Sequence, residues 1–222
     1  MNPPTAELRG QLFERAQRLE GMRVRELASE LGRPCPGGGV RTKGRVGELV
    51  EIALGASGGS RRAVDFPESG VELKTIPVSE EQKPFESTFV CAVNLDEEVD
   101  WALSWPRAKL SLVLFMPVIG ARDVPLPDRS FGRPVVWQPT PAQDRQLNAD
   151  YDDIMGLVGI GRIEDVTAHL GRYLQLRPKA KDGSVRTLAR GAEGERFGTV
   201  PRGFYLRPAF TGALLLDAAA LP

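Results

Sequence analysis

The chain has 222 residues, with 29 Lys+Arg against 29 Asp+Glu, so its formal net charge is zero. That balance excludes a histone-like polycation and an acidic solvating tail. Two cysteines, Cys35 and Cys91, exclude a disulfide framework and a zinc ribbon, and one histidine, His169, excludes a His-rich metal site. No apolar run is long enough to cross a membrane and the first residues lack an apolar signal core, so a cytoplasmic location is expected.

Apolar spacing predicts three helices at the start of the chain. Thr5, after Pro3-Pro4, is placed to cap the first, and Leu8, Leu12, Phe13, Ala16 and Leu19 share its face. Val24, Leu27, Ala28 and Leu31 mark a second helix ended by Gly32; Val46, Leu49, Val50, Ala53 and Leu54 mark a third ended by Gly55. The breaker-rich stretches RPCPGGGV (33–40) and GASGGSRR (55–62) follow the second and third. Neither GGGVRTKG (37–44), where Lys43 precedes Gly44, nor GASGGS (55–60) has the order of a phosphate loop, and both are expected to be hinges or DNA-facing turns.

Val71 to Ile76 alternates as a strand, with Pro77 at its end. Phe89–Val93, Leu110–Met116 and Val135–Trp137 read as further strands, 141–158 as a helix, and Ile163–Leu170 as a shorter helix holding His169. Trp101 and Trp105 are expected to pack. Tyr173–Arg177 reads as a strand, 181–198 as a loop of no assigned role, and 208–220 as an apolar final helix. The mixture predicts an α/β or α+β fold around a mixed sheet flanked by helices.

The zero charge is a sum of unlike parts. Residues 1–50 carry net +3, 51–100 net −7, 101–167 net −1, 168–208 net +6 and 209–222 net −1. The basic stretch runs from Arg172 to Arg207, interleaved with Phe197, Phe204 and Tyr205, a pattern suited to phosphate contact.

The acidic stretch holds the informative spacing, Asp65-x6-Glu72-Leu73-Lys74, with Glu51 upstream. In a strand, Glu72 and Lys74 project from one face while Val71 and Leu73 take the other. A turn at Pro67–Gly70 swings Asp65 back beside Glu72. Paired carboxylates suit a hard cation such as Mg²⁺, which polarises a phosphodiester and acidifies a water. Lys74 is then placed to handle that water or to stabilise charge at phosphorus. An exposed Glu-x-Lys ion pair is the plainer alternative. Glu51 lies among apolar neighbours, as either a surface group or a third acid facing the site.

Five blocks extend this pattern: LVEIALGASGGS (49–60), GVELKTIPV (70–78), ESTFVCAV (86–93), YLQLRPKA (173–180) and PRGFYLRPAF (201–210). In these the chain resembles the MutH family of methyl-directed mismatch-repair endonucleases, relatives of GATC-cutting restriction enzymes of the Sau3AI type. The resemblance implies a restriction-endonuclease-like fold whose two lobes form a DNA cleft, with a catalytic lobe over 1–105 and a DNA-reading lobe over 106–222.

It also implies a Mg²⁺ site, open to Mn²⁺ or Ca²⁺ in binding, at Asp65, Glu72 and the Leu73 carbonyl. Glu51 then binds a second metal or tunes the first, and Lys74 is catalytic. Lys43, Phe89, Arg177, Pro178, Lys179 and Tyr205 match DNA-facing positions, with Arg177–Lys179 reading GATC and Tyr205 sensing adenine methylation. Here Asp65 follows Val64, unlike the Pro-Asp order of the wider nuclease superfamily. The implied activity is nicking of the unmethylated strand 5′ to G at hemimethylated or unmethylated GATC, by an enzyme that is a monomer when free and is activated by MutL, which MutS recruits to a mismatch. A double-strand cutter of the Sau3AI type and a non-catalytic DNA-binding module are the alternatives. The opposed charges of the two stretches predict weak affinity for random duplex.

Overall fold

The computed structural model describes residues 3–37, 44–56, 63–95, 99–179 and 184–217. Residues 38–43, Lys43 among them, and 57–62 lie outside these residues. The helices are α1 (Pro3–Gln17), α2 (Val24–Glu30), α3 (Arg45–Leu54), α4 (Trp105–Leu110), α5 (Pro141–Gly159) and α6 (Pro208–Leu216). The strands are β1 (Glu72–Val78), β2 (Thr88–Ala92), β3 (Val113–Ile119), β4 (Ser130–Phe131), β5 (Val135–Trp137), β6 (Leu174–Pro178), β7 (Thr187–Arg190), β8 (Arg196–Thr199) and β9 (Arg202–Leu206). No helix among the described residues is long and apolar enough to cross a membrane.

The chain divides into two compact units, each discontinuous in sequence. One comprises 1–86, 111–138 and 212–220; the other comprises 87–110, 139–211 and 221–222. A single cut after residue 105 does not describe this interleaving. Phe89 groups with Arg177 and Tyr205 rather than with Asp65.

In the first unit β1 runs parallel to β3, and β3 pairs antiparallel with β5 near its start and β4 near its end. Val113 to Val118 are all buried, as an unbroken apolar run predicts for a strand covered on both faces. Leu73, Leu114, Met116 and Val118 share one core with Leu12, Leu27 and Val50 of α1, α2 and α3. This core fixes the register that places Glu72 and Lys74.

In the second unit β9 lies between β2 and β6, antiparallel to both, and β7 pairs with β8 as a hairpin. Helix α5 packs against β6 and is braced to it by Asp150. The Asp150 carboxylate is 2% exposed and accepts the backbone N–H groups of Arg172, Tyr173 and Leu174 at 2.6–2.8 Å.

Several expectations shift for local reasons. Helix α1 begins at Pro3, so Thr5 sits inside it rather than capping it; proline is preorganised for a first turn. Pro77 lies within β1, at the sheet edge, where its missing N–H breaks no ladder bond to a second neighbour. Leu110 closes α4, and β3 starts only at Val113. The helix expected over 163–170 is a single turn at Ile163–Asp165, leaving His169 exposed outside it. The stretch 181–198 is not all loop, because it contains β7 and the start of β8.

Candidate active site

Asp65, Glu72 and Lys74 are brought together by one turn. Phe66 bridges to Val71, and Gly70 adopts φ 70, a left-handed conformation open to glycine. The chain thus reverses over Pro67–Gly70, and Asp65 lands beside the start of β1. Asp65 Oδ2 accepts the Leu73 backbone N–H at 2.9 Å, while the Asp65 N–H donates to Glu72 Oε2 at 3.3 Å. Glu72 is 1% exposed, and Lys74 Nζ donates to its Oε1 at 2.6 Å. The ion pair is therefore partly buried, with Glu72 fully inside the first unit, unlike the exposed cross-strand pair of the plainer reading.

Helix α3 brings Glu51 to the same group. Gly47 lies so close to β1 that a Cβ there would sit 3.6 Å from the Thr75 hydroxyl. Glu51 follows one turn later on that helix face. Burial, then the charges of Asp65, Glu48 and Glu72, push its carboxyl above the usual glutamate range, with Lys74 opposing. Gly55 ends the helix at φ 87, with the Arg15 guanidinium 2.7 Å from where a Cβ would stand. Arg15 donates to the Leu54 carbonyl at 3.0 Å and holds the helix end in place.

The second unit carries a different constellation. Phe89 of β2, Tyr205 of β9 and Gln175 of β6 lie in one row of register, and Arg177 pairs with Gly203 in the next. Residues two apart on a strand share a face, so Phe89, Tyr205, Gln175, Arg177 and, just past β6, Lys179 share one side of this sheet. The other side holds buried Leu174, Leu176, Phe204 and Leu206. Phe89 and Tyr205 meet edge to face at 5.2 Å, and Lys179 Nζ stands 3.7 Å from the Phe89 ring centre. Gly203 leaves room for this ring, since a Cβ there would meet Phe89 Cε2 at 2.8 Å. Arg177 and Pro178 are exposed at the strand end.

A family model described as DNA mismatch repair enzyme MutH matches residues 54–150. The DNA mismatch repair protein MutH of Escherichia coli (strain K12) is 46% identical over 97% of this chain and 94% of its own length. That of Serratia proteamaculans (strain 568) is 46% identical over 96% of this chain and 94% of its own. The chain belongs to the MutH family. It is a DNA mismatch repair endonuclease with a restriction-endonuclease-like fold of mixed α/β type. MutH enzymes act on DNA, and their nuclease chemistry calls for a divalent metal ion.

Sequence spacing did not single out Ser87 or Gln175. The Ser87 hydroxyl accepts from Gln175 Nε2 at 2.8 Å and from Arg177 Nη1 at 2.9 Å. It thereby steadies the arginine on the exposed face of the MutH-family sheet. The one signal in the sequence was the alternation of Gln175 with Leu174 and Leu176, which places it beside Arg177.

Proposed function

We propose that this MutH-family enzyme nicks the unmethylated strand 5′ to G at hemimethylated or unmethylated GATC, leaving 5′-phosphate and 3′-OH, with Mg²⁺ as the working ion. The observation that carries the reading is the buried Glu72–Lys74 pair at 2.6 Å with Asp65 folded back against it. Catalysis is assigned to the unit holding α3 and β1, and base reading to the unit holding β2, β6 and β9.

Carboxylate and carbonyl oxygens are the donors a hard cation takes. Three carboxylates, of Asp65, Glu72 and Glu51, lie within electrostatic reach of one another, and Lys74 is the cation that opposes them at Glu51. Asp65, Glu72 and the Leu73 carbonyl would hold the ion, and Glu51 would take a second or tune the first. Mn²⁺ or Ca²⁺ would substitute in binding. When bound, such an ion polarises the phosphodiester and lowers the pKa of water.

The chain's own groups do the rest. Glu72 holds the Lys74 ammonium at a fixed point, where it orients the attacking water and stabilises the charge gathering on the phosphate oxygens. Arg177 presents a planar fork to guanine O6 and N7, and Ser87 keeps that fork from wandering. Tyr205, fixed by the Phe89 ring, meets adenine N6 and distinguishes an amino group from a methylated one by contact. Lys179 and Pro178 complete the approach, and Lys43 adds a DNA contact or a catalytic cation. The enzyme works in the cytoplasm as a monomer, activated by MutL after MutS marks a mismatch.

Supercoiled plasmids that are unmethylated, hemimethylated or fully methylated at GATC, incubated with enzyme and Mg²⁺, test this reading. Open circles from the first two and none from the third are expected. Linear product would replace it with a double-strand cutter, and indifference to methylation would remove the role of Tyr205.

A further inference from the structure

We propose that Arg9 and Arg15 of α1 are positioning residues for the proposed metal site, tying down the two backbone segments that carry Asp65 and Glu51. The two arginines make the same contact twice. Arg9 Nε donates to the Ser69 carbonyl at 2.7 Å, and Arg15 Nη1 donates to the Leu54 carbonyl at 3.0 Å. Each carbonyl belongs to the residue just before a left-handed glycine, Gly70 at φ 70 and Gly55 at φ 87. Each guanidinium also lies over that glycine. A Cβ on Gly70 would stand 3.4 Å from Arg9 Nη2, and one on Gly55 would stand 2.7 Å from Arg15 Nη1. Both glycines therefore serve the turn of the backbone and make room for the arginine.

Each tie reaches an acid through few bonds. Gly70 donates its N–H to the Phe66 carbonyl at 2.9 Å, and Phe66 is the chain neighbour of Asp65. Beyond Gly55, Ala56 donates its N–H to the Glu51 carbonyl at 2.8 Å. Arg15 satisfies one of the carbonyls that a helix end leaves without an intrahelical partner, and its cation suits that end. Leu12, between the arginines in sequence, is buried in one core with Leu54 and Phe66. Helix α1 is thus a splint across the two segments, its ties about 9 Å apart along the helix axis.

The splint matters because the wall it spans is not packed solid. A cleft of about 200 Å³ opens there, lined among others by Leu12, Arg15, Leu54, Gly55, Asp65 and Phe66. Close packing fixes a segment only where neighbours fill the volume around it. Beside this cleft the arginine ties take that part. Mg²⁺ tolerates little error in the placing of its oxygens. Partners that orient a metal's ligands from outside cost about 10–100-fold in affinity when removed. The arginines bond to backbone carbonyls, so their effect on an ion passes through Asp65 and Glu51.

The inference rests on the proposed metal site, and the experiment separates the two. Mn²⁺ is titrated into the full chain without DNA, and bound ion is read from the loss of the free-ion EPR signal. Asp65→Asn should weaken binding, which tests the site itself. Arg9→Gln and Arg15→Gln should each weaken it by about 10-fold, the low end for partners outside the ligands. Arg15→Lys, which keeps a donor for the Leu54 carbonyl, should recover most of that loss. In nicking assays the Mn²⁺ concentration at half-maximal rate should rise by the same factor, while the rate at saturating Mn²⁺ matches that of the unaltered chain. Arg15 is exposed, so Arg15→Gln keeps the test decisive if Arg9→Gln folds poorly. A lower melting temperature with unchanged Mn²⁺ affinity in the folded protein would make the arginines merely structural and overturn the proposal. A loss confined to Asp65→Asn would do the same and leave the metal site standing. Unchanged binding in Asp65→Asn as well would bring down the metal site and this inference together.

Discussion

Two buried carboxylates, Glu72 in one unit and Asp150 in the other, are compensated in opposite ways. Asp150 accepts three consecutive backbone N–H groups, and Gln146 Nε2 adds a fourth donor at 2.8 Å. Fixed dipoles offset its burial, and the chain needs nothing further. Glu72 is as deeply buried but sits beside Asp65, within the field of Glu51, with the Lys74 ammonium at 2.6 Å. Burying charge costs several kcal/mol unless it is compensated, and like charges raise that cost. An acid surrounded by backbone donors is a brace. An acid held among acids, with one lysine against it, is balanced by charge rather than by fixed dipoles.

The contrast can be broken by experiment. Glu72→Gln and Lys74→Ala should each lower single-turnover nicking by about 10²–10⁴-fold while DNA binding is retained. The melting temperature of Glu72→Gln should hold or rise, and a fall as large as that of an Asp150 variant would erase the distinction. Asp150→Ala should cost about 3 kcal/mol in denaturant unfolding, because several donors lose a charged acceptor, with nicking per folded molecule preserved. Arg177→Ala should lose about 1–3 kcal/mol of discrimination between GATC and single-base variants, read as the ratio of kcat/KM values. Ser87→Ala should lose about 1 kcal/mol of the same discrimination, and Ser87→Thr should restore it.

The smallest effect is a slope in pH. Glu51's carboxyl lies above the usual glutamate range, so the native state keeps a proton that the unfolded chain releases. Stability from this group is complete below the unfolded pKa and is lost as pH rises through the raised folded one. In metal-free enzyme the melting temperature should decline across that window, and Glu51→Gln should flatten the decline.

These regions were unequally legible in the sequence. Period-2 alternation at Val71–Ile76 and a Pro67–Gly70 turn were enough to predict Asp65 beside Glu72, because the whole arrangement is local. The exposed face of the second unit depends on register among three strands, of which β2 lies more than 80 residues before the other two. Phe89, Gln175 and Tyr205 meet only once β2, β9 and β6 are paired. Resemblance supplied Phe89 and Tyr205, but no spacing rule supplied Ser87. The β7–β8 hairpin was missed because glycines and arginines dilute its alternation, leaving Ala189 and Phe197 as its main inward apolar groups.

The interleaving of the two units has a consequence for synthesis. The unit that holds Asp65, Glu72 and Lys74 also needs β3, β4 and β5 and closes only with the part of α6 from Gly212 on. Domains fold as units while the chain leaves the ribosome, N-terminal parts first. Here the acidic cluster emerges early and waits, unfinished, while some 150 further residues are made. Closure of this unit therefore waits until the segments of the second unit have been made, a delay written into the order of the segments.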